Sequence, residues 1–214
     1  YRMIEYIRAY EKTKPKQHPI GMTVGFPGPG NRALLESPAD WISPNFRAAD
    51  GYDYRKNPPP ADGTKVVLSD TDHLWGNRCK DHTWAWRSFC RGHNLLYMDK
   101  WTWEQDDLDR ERVRKALGHV RRFAERMDLR ATRPANALAS SEYCLANPGR
   151  QYLVYIPSGR AVTLDLSGVS GTFDVEWFNP RTGDTEDGGT VAGGAERAFG
   201  CPFEGDAVLY VFRR

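Results

Sequence analysis

The hydrophobic pattern of the chain changes near residue 130. Upstream of that point, short apolar runs alternate with segments of helical spacing. Downstream, short segments alternate apolar and polar residues with a period of two and are separated by Gly, Pro, Asn and Ser, which is typical of an antiparallel sandwich. The pattern predicts two regions of different fold class, an α/β region over 1–130 and an all-β domain over 138–214.

The first region contains four predicted strands and three predicted helices. Continuous apolar runs indicate strands that are buried on both faces, as in a parallel sheet covered by helices. These strands are predicted at 18–24, 40–46, 64–70 and 93–99. Helices are predicted near 1–10, 82–92 and 107–127. This order is typical of βα units, and four strands are half of an eight-stranded barrel.

Composition excludes several functional classes. The 214 residues are 40% hydrophobic and 27% charged, as in an ordinary globular protein, and the net charge is only +2. We therefore expect no nucleic-acid partner and no membrane partner, and no apolar run approaches the roughly 20 residues that span a bilayer. The chain starts without Met and already with helical spacing, so we expect a fragment of a longer protein.

The four cysteines show no metal-binding spacing. We expect buried free thiols, and the alternative is one disulfide between Cys144 and Cys201. Neither a cofactor nor a metal ion is predicted.

Polar and aromatic residues collect where the predicted strands end. In αβ barrels the catalytic groups come from the C-terminal ends of strands. The third strand ends in "VVLSDTDHLWG" (66–76), which places two carboxylates, a histidine and a tryptophan together. The candidate residues of all four ends are Phe26, Asn45, Asp70, Asp72, His73, Trp75, Asp99 and Trp101. Carboxylates beside flat aromatic faces favour a carbohydrate substrate.

Each candidate has a structural alternative. Asp70 and Asp72 could be ordinary turn residues after a strand, and His73 could be a hydrogen-bonded wall residue. If the strand alternation continues, Asp70 and Asp72 share one face while Thr71 and His73 point the other way. That alternation argues against the further alternative of a metal site at "DTDH", which would suit a metal-dependent hydrolase.

Several aromatic and imidazole side chains are predicted to be structural. Trp84 and Trp86 lie within a predicted helix and are assigned to core packing, and His93 precedes the fourth strand. The aromatic residues of the second domain alternate as core residues would; they are Tyr152, Tyr155, Phe173, Trp177 and Tyr210.

Taken together, these motifs resemble a known enzyme family. The segments "YIRAYEKTKPKQHPIGMT", "SPADWISPN", "VVLSDTDHLWG" and "WAWRSFCRGHNLLYMD" resemble the later half of the apiosidase-like glycoside hydrolases, which are related to the large retaining (β/α)8 glycosidase clan. The tail, from "YCLANPGRQYLVYIPSGRAVTLDLS" to "VEWFNPRTG", is similar to the small collagen-binding-type sandwich that commonly follows such barrels.

The resemblance implies a fold and an activity. It implies strands five to eight of a (β/α)8 barrel followed by a sandwich, from a bacterial enzyme that cleaves O-glycosidic bonds in a plant or bacterial polysaccharide. The implied mechanism is retaining, with two carboxylates. The strand-seven nucleophile would be Asp70 or, as second choice, Asp72. The sequence departs from the clan here, because the clan usually has a glutamate and the strand-end alignment places Thr71 near it.

The remaining roles follow from the same resemblance. The general acid would belong to the missing N-terminal half of the barrel, so we expect the 214-residue chain alone to be inactive. The substrate would be a poly- or oligosaccharide, contacted by His73, Trp75, Trp101, Phe26, Asn45 and Asp99. The full-length parent would be secreted or periplasmic. The alternative function is a non-catalytic carbohydrate- or matrix-binding module carried by the C-terminal sandwich.

Overall fold

The computed structural model describes residues 1–24, 30–47, 52–76, 78–98 and 108–213. The helices are α1 (Arg2–Glu11), α2 (Asn31–Leu35), α3 (Thr71–Trp75), α4 (Thr83–Cys90) and α5 (Leu108–Arg126), and a 3-10 turn spans Asn136–Leu138. The strands are β1 (Gly21–Thr23), β2 (Trp41–Ser43), β3 (Val66–Asp70), β4 (Asn94–Leu96), β5 (Arg133–Pro134), β6 (Cys144–Asn147), β7 (Gln151–Ile156), β8 (Ala161–Asp165), β9 (Thr172–Phe178), β10 (Thr185–Ala192), β11 (Glu196–Gly200) and β12 (Ala207–Phe212).

The internal contacts divide the chain into two units. The first, called here the parallel-sheet unit, comprises Tyr1–Cys79 and His93–Trp103. The second, called the antiparallel-sheet unit, comprises Lys80–Gly92 and Glu104–Arg214. The chain therefore leaves the first unit at α4, returns to it for β4, and leaves it again before α5.

The parallel-sheet unit is built on four strands in sequential order, β1-β2-β3-β4, all paired in parallel. The strands lie inside the four predicted apolar runs. Their register places Gly21 opposite Trp41, and Trp41 opposite Val66. Because parallel strands begin at one edge of a sheet and end at the other, the ends of β1, β2 and β3 meet at one edge.

The two faces of this parallel sheet differ in burial. Ile42, Val67 and Ser69 lie on one face and are all buried, as is Leu34 of α2. On the other face Val66 is 50% exposed and Leu96 is 42% exposed. The register places these two residues on the same side as Trp41, Leu68 and Asp70. On this second face Val66 and Leu96 are exposed, Trp41 and Leu68 are half-buried, and Asp70 at the carboxyl end of β3 is buried.

The antiparallel-sheet unit has one large and one small sheet. Six strands lie in the order β10-β9-β12-β7-β6-β5, and β11 pairs with β8. The pairs are antiparallel throughout, as the period-two pattern predicts. The strand β12 is central because it pairs with both β7 and β9.

One face of the large sheet shares a core with the small sheet. Tyr152, Phe173 and Trp177 are buried there together with Leu164 of β8 and Leu209 of β12. Their predicted role as core residues is confirmed. Aromatic side chains bury large areas, so this cluster supplies much of the hydrophobic stabilisation of the unit.

The opposite face of the large sheet is covered by α4 and α5. The ring of Trp86 lies 5.7 Å from that of Phe123 and 6.1 Å from that of Tyr155, and Phe123 contacts the ring of Tyr210 at 5.6 Å. Trp84 and Trp86 are both fully buried, which confirms their predicted packing role. All six residues of β7 are buried because this strand has packed neighbours on both faces.

The predicted domain boundary and the contact units differ in one respect. Sequence position assigns α4 and α5 to the region 1–130, whereas their contacts place them with the antiparallel sheets. The reason is that their apolar side chains, such as Trp86 and Phe123, pack on the aromatic face of that sheet. The division into a barrel region over 1–130 and a sandwich domain over 138–214 stays a prediction.

The four cysteines are free thiols, and Cys79, Cys90 and Cys144 are buried. The alternative disulfide between Cys144 and Cys201 is not formed. Burial raises the pKa of the Cys144 thiol to about 12, so this thiol stays protonated and unreactive. Among the described helices none has the length and apolarity needed to cross a membrane.

Candidate active site

The central candidate, Asp70, is the last residue of β3 and the N-cap of α3. Its Oδ1 accepts a hydrogen bond of 2.9 Å from the backbone N–H of Asp72. The short helix ends at Gly76, whose φ of 58° is a left-handed conformation that glycine tolerates. Asp70 is 5% exposed, so its carboxylate is held in one orientation at the edge of the sheet.

The helix corrects one sequence prediction. Continued strand alternation predicts Asp70 and Asp72 on one face and Thr71 and His73 on the other. This prediction is wrong, because the chain turns into α3 at Thr71 and a period of two no longer applies. Thr71 is fully buried, whereas Asp72 and His73 are partly exposed. The two aspartates therefore have different environments.

His73 lies where three strands end. Its Nδ1 is 2.8 Å from Ser43 Oγ at the end of β2 and 3.1 Å from Thr23 Oγ1 at the end of β1. Thr23 Oγ1 also lies 3.2 Å from the carbonyl oxygen of Ser43. These contacts fix the imidazole across the ends of β1, β2 and β3, next in sequence to Asp72.

Thr23 and Ser43 were missed by sequence reasoning. Each is a single hydroxyl residue at the end of a three-residue strand, in "GMT" and "WIS". Their position as the last strand residue is a usable signal, because side chains at the carboxyl ends of parallel strands share one edge. The separation of 50 residues between Thr23 and His73 hides their contact from any local pattern.

Asn45, a predicted substrate contact, takes part in a loop network just after β2. It is 6% exposed, and its Oδ1 accepts a 2.9 Å hydrogen bond from the N–H of Arg47. The side chain of Asn31 donates to the carbonyl oxygens of Asn45 and Arg47 at 2.9 and 2.6 Å and accepts from the N–H of Asn45 at 2.9 Å. In this structure Asn45 orders the loop that follows β2.

A second network ties β3 to β4 beneath the site. Ser69 Oγ lies 2.9 Å from His93 Nδ1, and His93 Nε2 lies 2.8 Å from the carbonyl oxygen of Pro59. Since a carbonyl only accepts, Nε2 carries a proton, and in the neutral imidazole Nδ1 then accepts from the serine hydroxyl. His93 is 3% exposed, which agrees with the structural role predicted for it. Thr71 Oγ1 accepts from the N–H of Met98 at 2.9 Å.

The remaining candidates are distributed as follows. Trp75 ends α3 and is half-buried. Phe26, Asp99 and Trp101 lie outside the described residues. Within the described ranges no group of three or more His, Cys, Asp or Glu side chains could hold a metal ion.

The arrangement has defined chemical capacities. One carboxylate, one partly exposed imidazole and two hydroxyls line the same edge of the sheet. Asp70 and Thr23 lie on the face that bears the uncovered apolar residues. Such a set can orient a polar substrate through hydrogen bonds and present a carboxylate as nucleophile or base.

Residues 134–211 match the model of a family described as "Putative collagen-binding domain of a collagenase". No curated protein matches the chain.

Two solved structures are similar to this chain. One is a glycoside hydrolase family 5 protein from Bacteroides vulgatus, with 16% identity and a TM-score of 0.54, covering 71% of this chain and 42% of that structure. The other is described as a glycoside hydrolase, with 16% identity and a TM-score of 0.54, covering 85% of this chain and 44% of that structure. At this identity the likeness shows the fold: the chain shares a glycoside hydrolase-related fold and spans less than half the length of these structures.

Proposed function

We propose that this chain is the later half of a glycoside hydrolase barrel, comprising strands five to eight, followed by a sandwich domain. The whole protein would cleave O-glycosidic bonds in a plant or bacterial polysaccharide. The apiosidase-like family suggested by the sequence motifs remains part of this proposal. The observation that supports it is that the polar strand ends, Asp70 and Thr23, lie on the same face of the parallel sheet as the exposed apolar residues Val66 and Leu96.

A closed barrel would explain why these polar and apolar residues lie on one face of the sheet. The inward side chains of barrel strands pack against those of the opposite strands, and the C-terminal mouth above them holds the active site. Val66 and Leu96 would then be interior residues that strands one to four cover. Asp70 and Thr23 would line the mouth on the same inward face. The same logic explains the depression of about 800 Å³ beside Trp41, Val66 and Leu68.

We assign the roles of the site residues as follows. Asp70 is the proposed nucleophile, because its carboxylate is fixed through Oδ1 while Oδ2 has no protein donor among the described residues. Asp72 is the second choice. A retaining reaction needs a second carboxyl group roughly 5 Å away, which the N-terminal half would supply. His73, held by Ser43, would donate or accept a hydrogen bond at a sugar hydroxyl.

Other members of the predicted site complete the proposal. Trp75, Trp101 and Phe26 would offer aromatic faces to the sugar rings, and Asp99 would bind hydroxyl groups. Asn45 would act indirectly, by ordering the loop after β2. We also place the whole protein outside the cytoplasm, because a polysaccharide substrate and a domain of the collagen-binding type both suit an extracellular setting.

The test uses the full-length parent protein. Asp70→Ala is expected to lower kcat by a factor on the order of 10³ or more. Added azide or formate should restore turnover to Asp70→Ala, because a small nucleophile fills the space of the lost carboxylate. A loss caused only by the missing helix cap would not be rescued in this way.

The matched control is Asp62→Ala. Asp62 also accepts backbone and hydroxyl hydrogen bonds, from Thr64 at 2.9 and 2.7 Å, but it lies before β3. It should leave kcat within about twofold. Full activity in Asp70→Ala, or rescue of Asp72→Ala instead, would remove Asp70 from the nucleophile's role.

A second candidate function, a carbohydrate- or matrix-binding module, is favoured by the family match over residues 134–211. It predicts that the 214-residue chain is retained by collagen or by an insoluble polysaccharide in a pull-down. The aromatic side chains that could have formed an exposed platform, such as Tyr152 and Trp177, are buried. If neither collagen nor the polysaccharide retains the chain, the binding-module function is contradicted.

A further inference from the structure

A second concave site has described lining residues that all belong to the antiparallel-sheet unit. It has a volume of about 490 Å³ and is lined by His82, Arg112, Lys115, Pro180 and Arg181. His82 precedes α4, the next two residues belong to α5, and the last two belong to the turn between β9 and β10. Volumes of this size are typical of sites for small ligands.

The turn that carries Arg181 is rigid. Asn179 Oδ1 accepts hydrogen bonds from the N–H groups of Arg181 and Thr182 at 3.0 and 3.3 Å, and the N–H of Gly183 donates to the carbonyl oxygen of Asn179 at 2.8 Å. The carbonyl oxygen of Pro180 accepts from His119 Nδ1 at 3.2 Å. The turn 179–184, with the sequence NPRTGD, is therefore packed on α5 and forms one wall of the pocket.

The guanidinium of Arg181 is also positioned. Its Nε donates a 2.9 Å hydrogen bond to Asp206 Oδ1. Asp206 is 2% exposed and accepts a second hydrogen bond, of 3.1 Å, from the hydroxyl of Tyr155. Burial, and next the nearby carboxylate of Asp206, raise the pKa of Tyr155, so the phenol remains a donor. Asp206 is thus already paired within the protein.

The described lining of the pocket is cationic. Arg112, Lys115 and Arg181 contribute three permanent positive charges, and none of the described lining residues is acidic. Arg112 also pairs with Asp109 at 3.1 Å, and both side chains are largely exposed. Lys115 has no ion pair among the described residues. His82 Nε2 is buried without a hydrogen-bond partner and lies 3.8 Å from Asp206 Oδ2.

We propose that this pocket binds the carboxylate or sulfate group of an acidic sugar. Arginine presents planar N–H pairs that match an oxyanion, and lysine adds a point charge. The imidazole of His82, which is partly exposed, offers a flat surface to the sugar ring. The choice of a sugar rests on the proposed function, whereas the choice of an anion rests on the pocket alone.

The experiment is calorimetric titration of the 214-residue chain at low salt. The probes are glucuronic acid, glucose 6-sulfate, glucose and inorganic sulfate. Both acidic sugars are expected to bind, with dissociation constants at least about tenfold lower than those of glucose and of inorganic sulfate. Added NaCl should weaken the binding, because the contacts are electrostatic.

Two variants localise the site. Arg112→Gln and Lys115→Gln should each raise the dissociation constant of glucuronic acid about fivefold. The matched control is Arg121→Gln, on the same helix, whose side chain is exposed and pairs with Glu125 at 2.7 Å. It removes the same charge and should leave the dissociation constant unchanged. All three positions are exposed, so the variants should keep the far-UV spectrum of the parent chain.

Several outcomes would overturn the proposal. Equal binding of glucose would remove the anion from recognition, and equal binding of inorganic sulfate would reduce the pocket to an adventitious ion site. An equal loss in Arg121→Gln would show that overall charge, rather than this pocket, attracts the ligand. Absence of binding by both acidic sugars would contradict the proposal directly. None of these results depends on Asp70, so the proposed hydrolase activity is tested separately.

Discussion

The two units of this protein bury their sheets in different ways. In the antiparallel-sheet unit, β7 is buried on both faces: Tyr152 points into the core shared with the small sheet, and Tyr155 packs against Trp86 of α4. In the parallel-sheet unit one face of β3 is buried, whereas on the other face Val66 is 50% exposed, Leu68 is half-buried and Asp70 at the end of the strand is buried. Both strands are apolar runs in the sequence.

This difference shows that an apolar run predicts a strand that must be buried on both faces, but does not show which elements pack on those faces. The central strands of the large sheet receive their cover from α4, α5 and the small sheet. The exposed apolar residues of the parallel sheet, Val66 and Leu96, lie on the same face as the polar strand ends of the candidate site. The comparison can be sharpened by equivalent mutations in the two units.

The largest expected effect comes from removing a tryptophan in each unit. Trp86→Ala should lower the free energy of unfolding of the antiparallel-sheet unit by roughly 3–5 kcal/mol, because a fully buried ring leaves a cavity. Trp41→Ala should cost the parallel-sheet unit about 1 kcal/mol, because its ring lies over Gly21 on the open face and is half-buried.

The measurement is urea unfolding monitored by hydrogen exchange. The amides of β7 report the antiparallel-sheet unit and the amides of β2 report the parallel-sheet unit. The contrast between the units would fail if the two substitutions cost the same.

A smaller effect is expected from the ion pair between α5 and β9. Arg126 donates to both oxygens of Glu176, at 2.6 and 3.0 Å, and its guanidinium lies 4.9 Å from the ring centre of Tyr210. The hydrogen bonds that Arg126 donates to the carboxylate of Glu176 raise the pKa of Arg126 above its usual value. Arg126→Met should lower the free energy of unfolding by about 1–2 kcal/mol.

Its control is Arg121→Met, which removes an exposed pair with Glu125 on the same helix. The control should change the free energy of unfolding by less than about 0.5 kcal/mol. Equal losses of unfolding free energy in the two variants, measured by chemical denaturation, would mean that the bidentate contact does not help α5 to pack on the sheet.

The smallest effect is a pH dependence within the antiparallel-sheet unit. Burial lowers the pKa of His119 below its ordinary value of 6.5, so between these two values the unfolded chain binds a proton that the folded chain does not. Stability from this group is complete above pH 6.5 and falls as pH drops toward the lowered folded pKa. His119→Asn should flatten this part of the profile while its amide can still donate to Pro180.

The measurement compares urea midpoints at about pH 5.5 and about pH 7.5. The exposed His18, paired with Glu11 at 2.7 Å, supplies the comparison variant His18→Asn, which should leave the His119-dependent slope in place. An unchanged slope in His119→Asn would show that another group titrates.

Much of the fold could be predicted from the chain, and part of the site could not. Residues 66–70 form a strand as the apolar run predicts, and Asp70 lies at its end. The helix that starts at Thr71 was missed, although Asp70 followed by polar residues has the composition of an N-cap. The assignment of α4 to the antiparallel-sheet unit was missed as well, because helix periodicity identifies an apolar face without naming its partner.

The sequence by itself determined the positions of the strands, the apolar faces of the helices and the carboxylate at the end of β3, because these depend on local backbone geometry and periodicity. Only the tertiary structure decided that Thr23 and Ser43 contact His73. It also decided that the large antiparallel sheet is packed on both faces, whereas the parallel sheet is packed mainly on one. The contacts with His73 join residues 30 and 50 positions apart, and they are set by strand register and packing rather than by any local pattern.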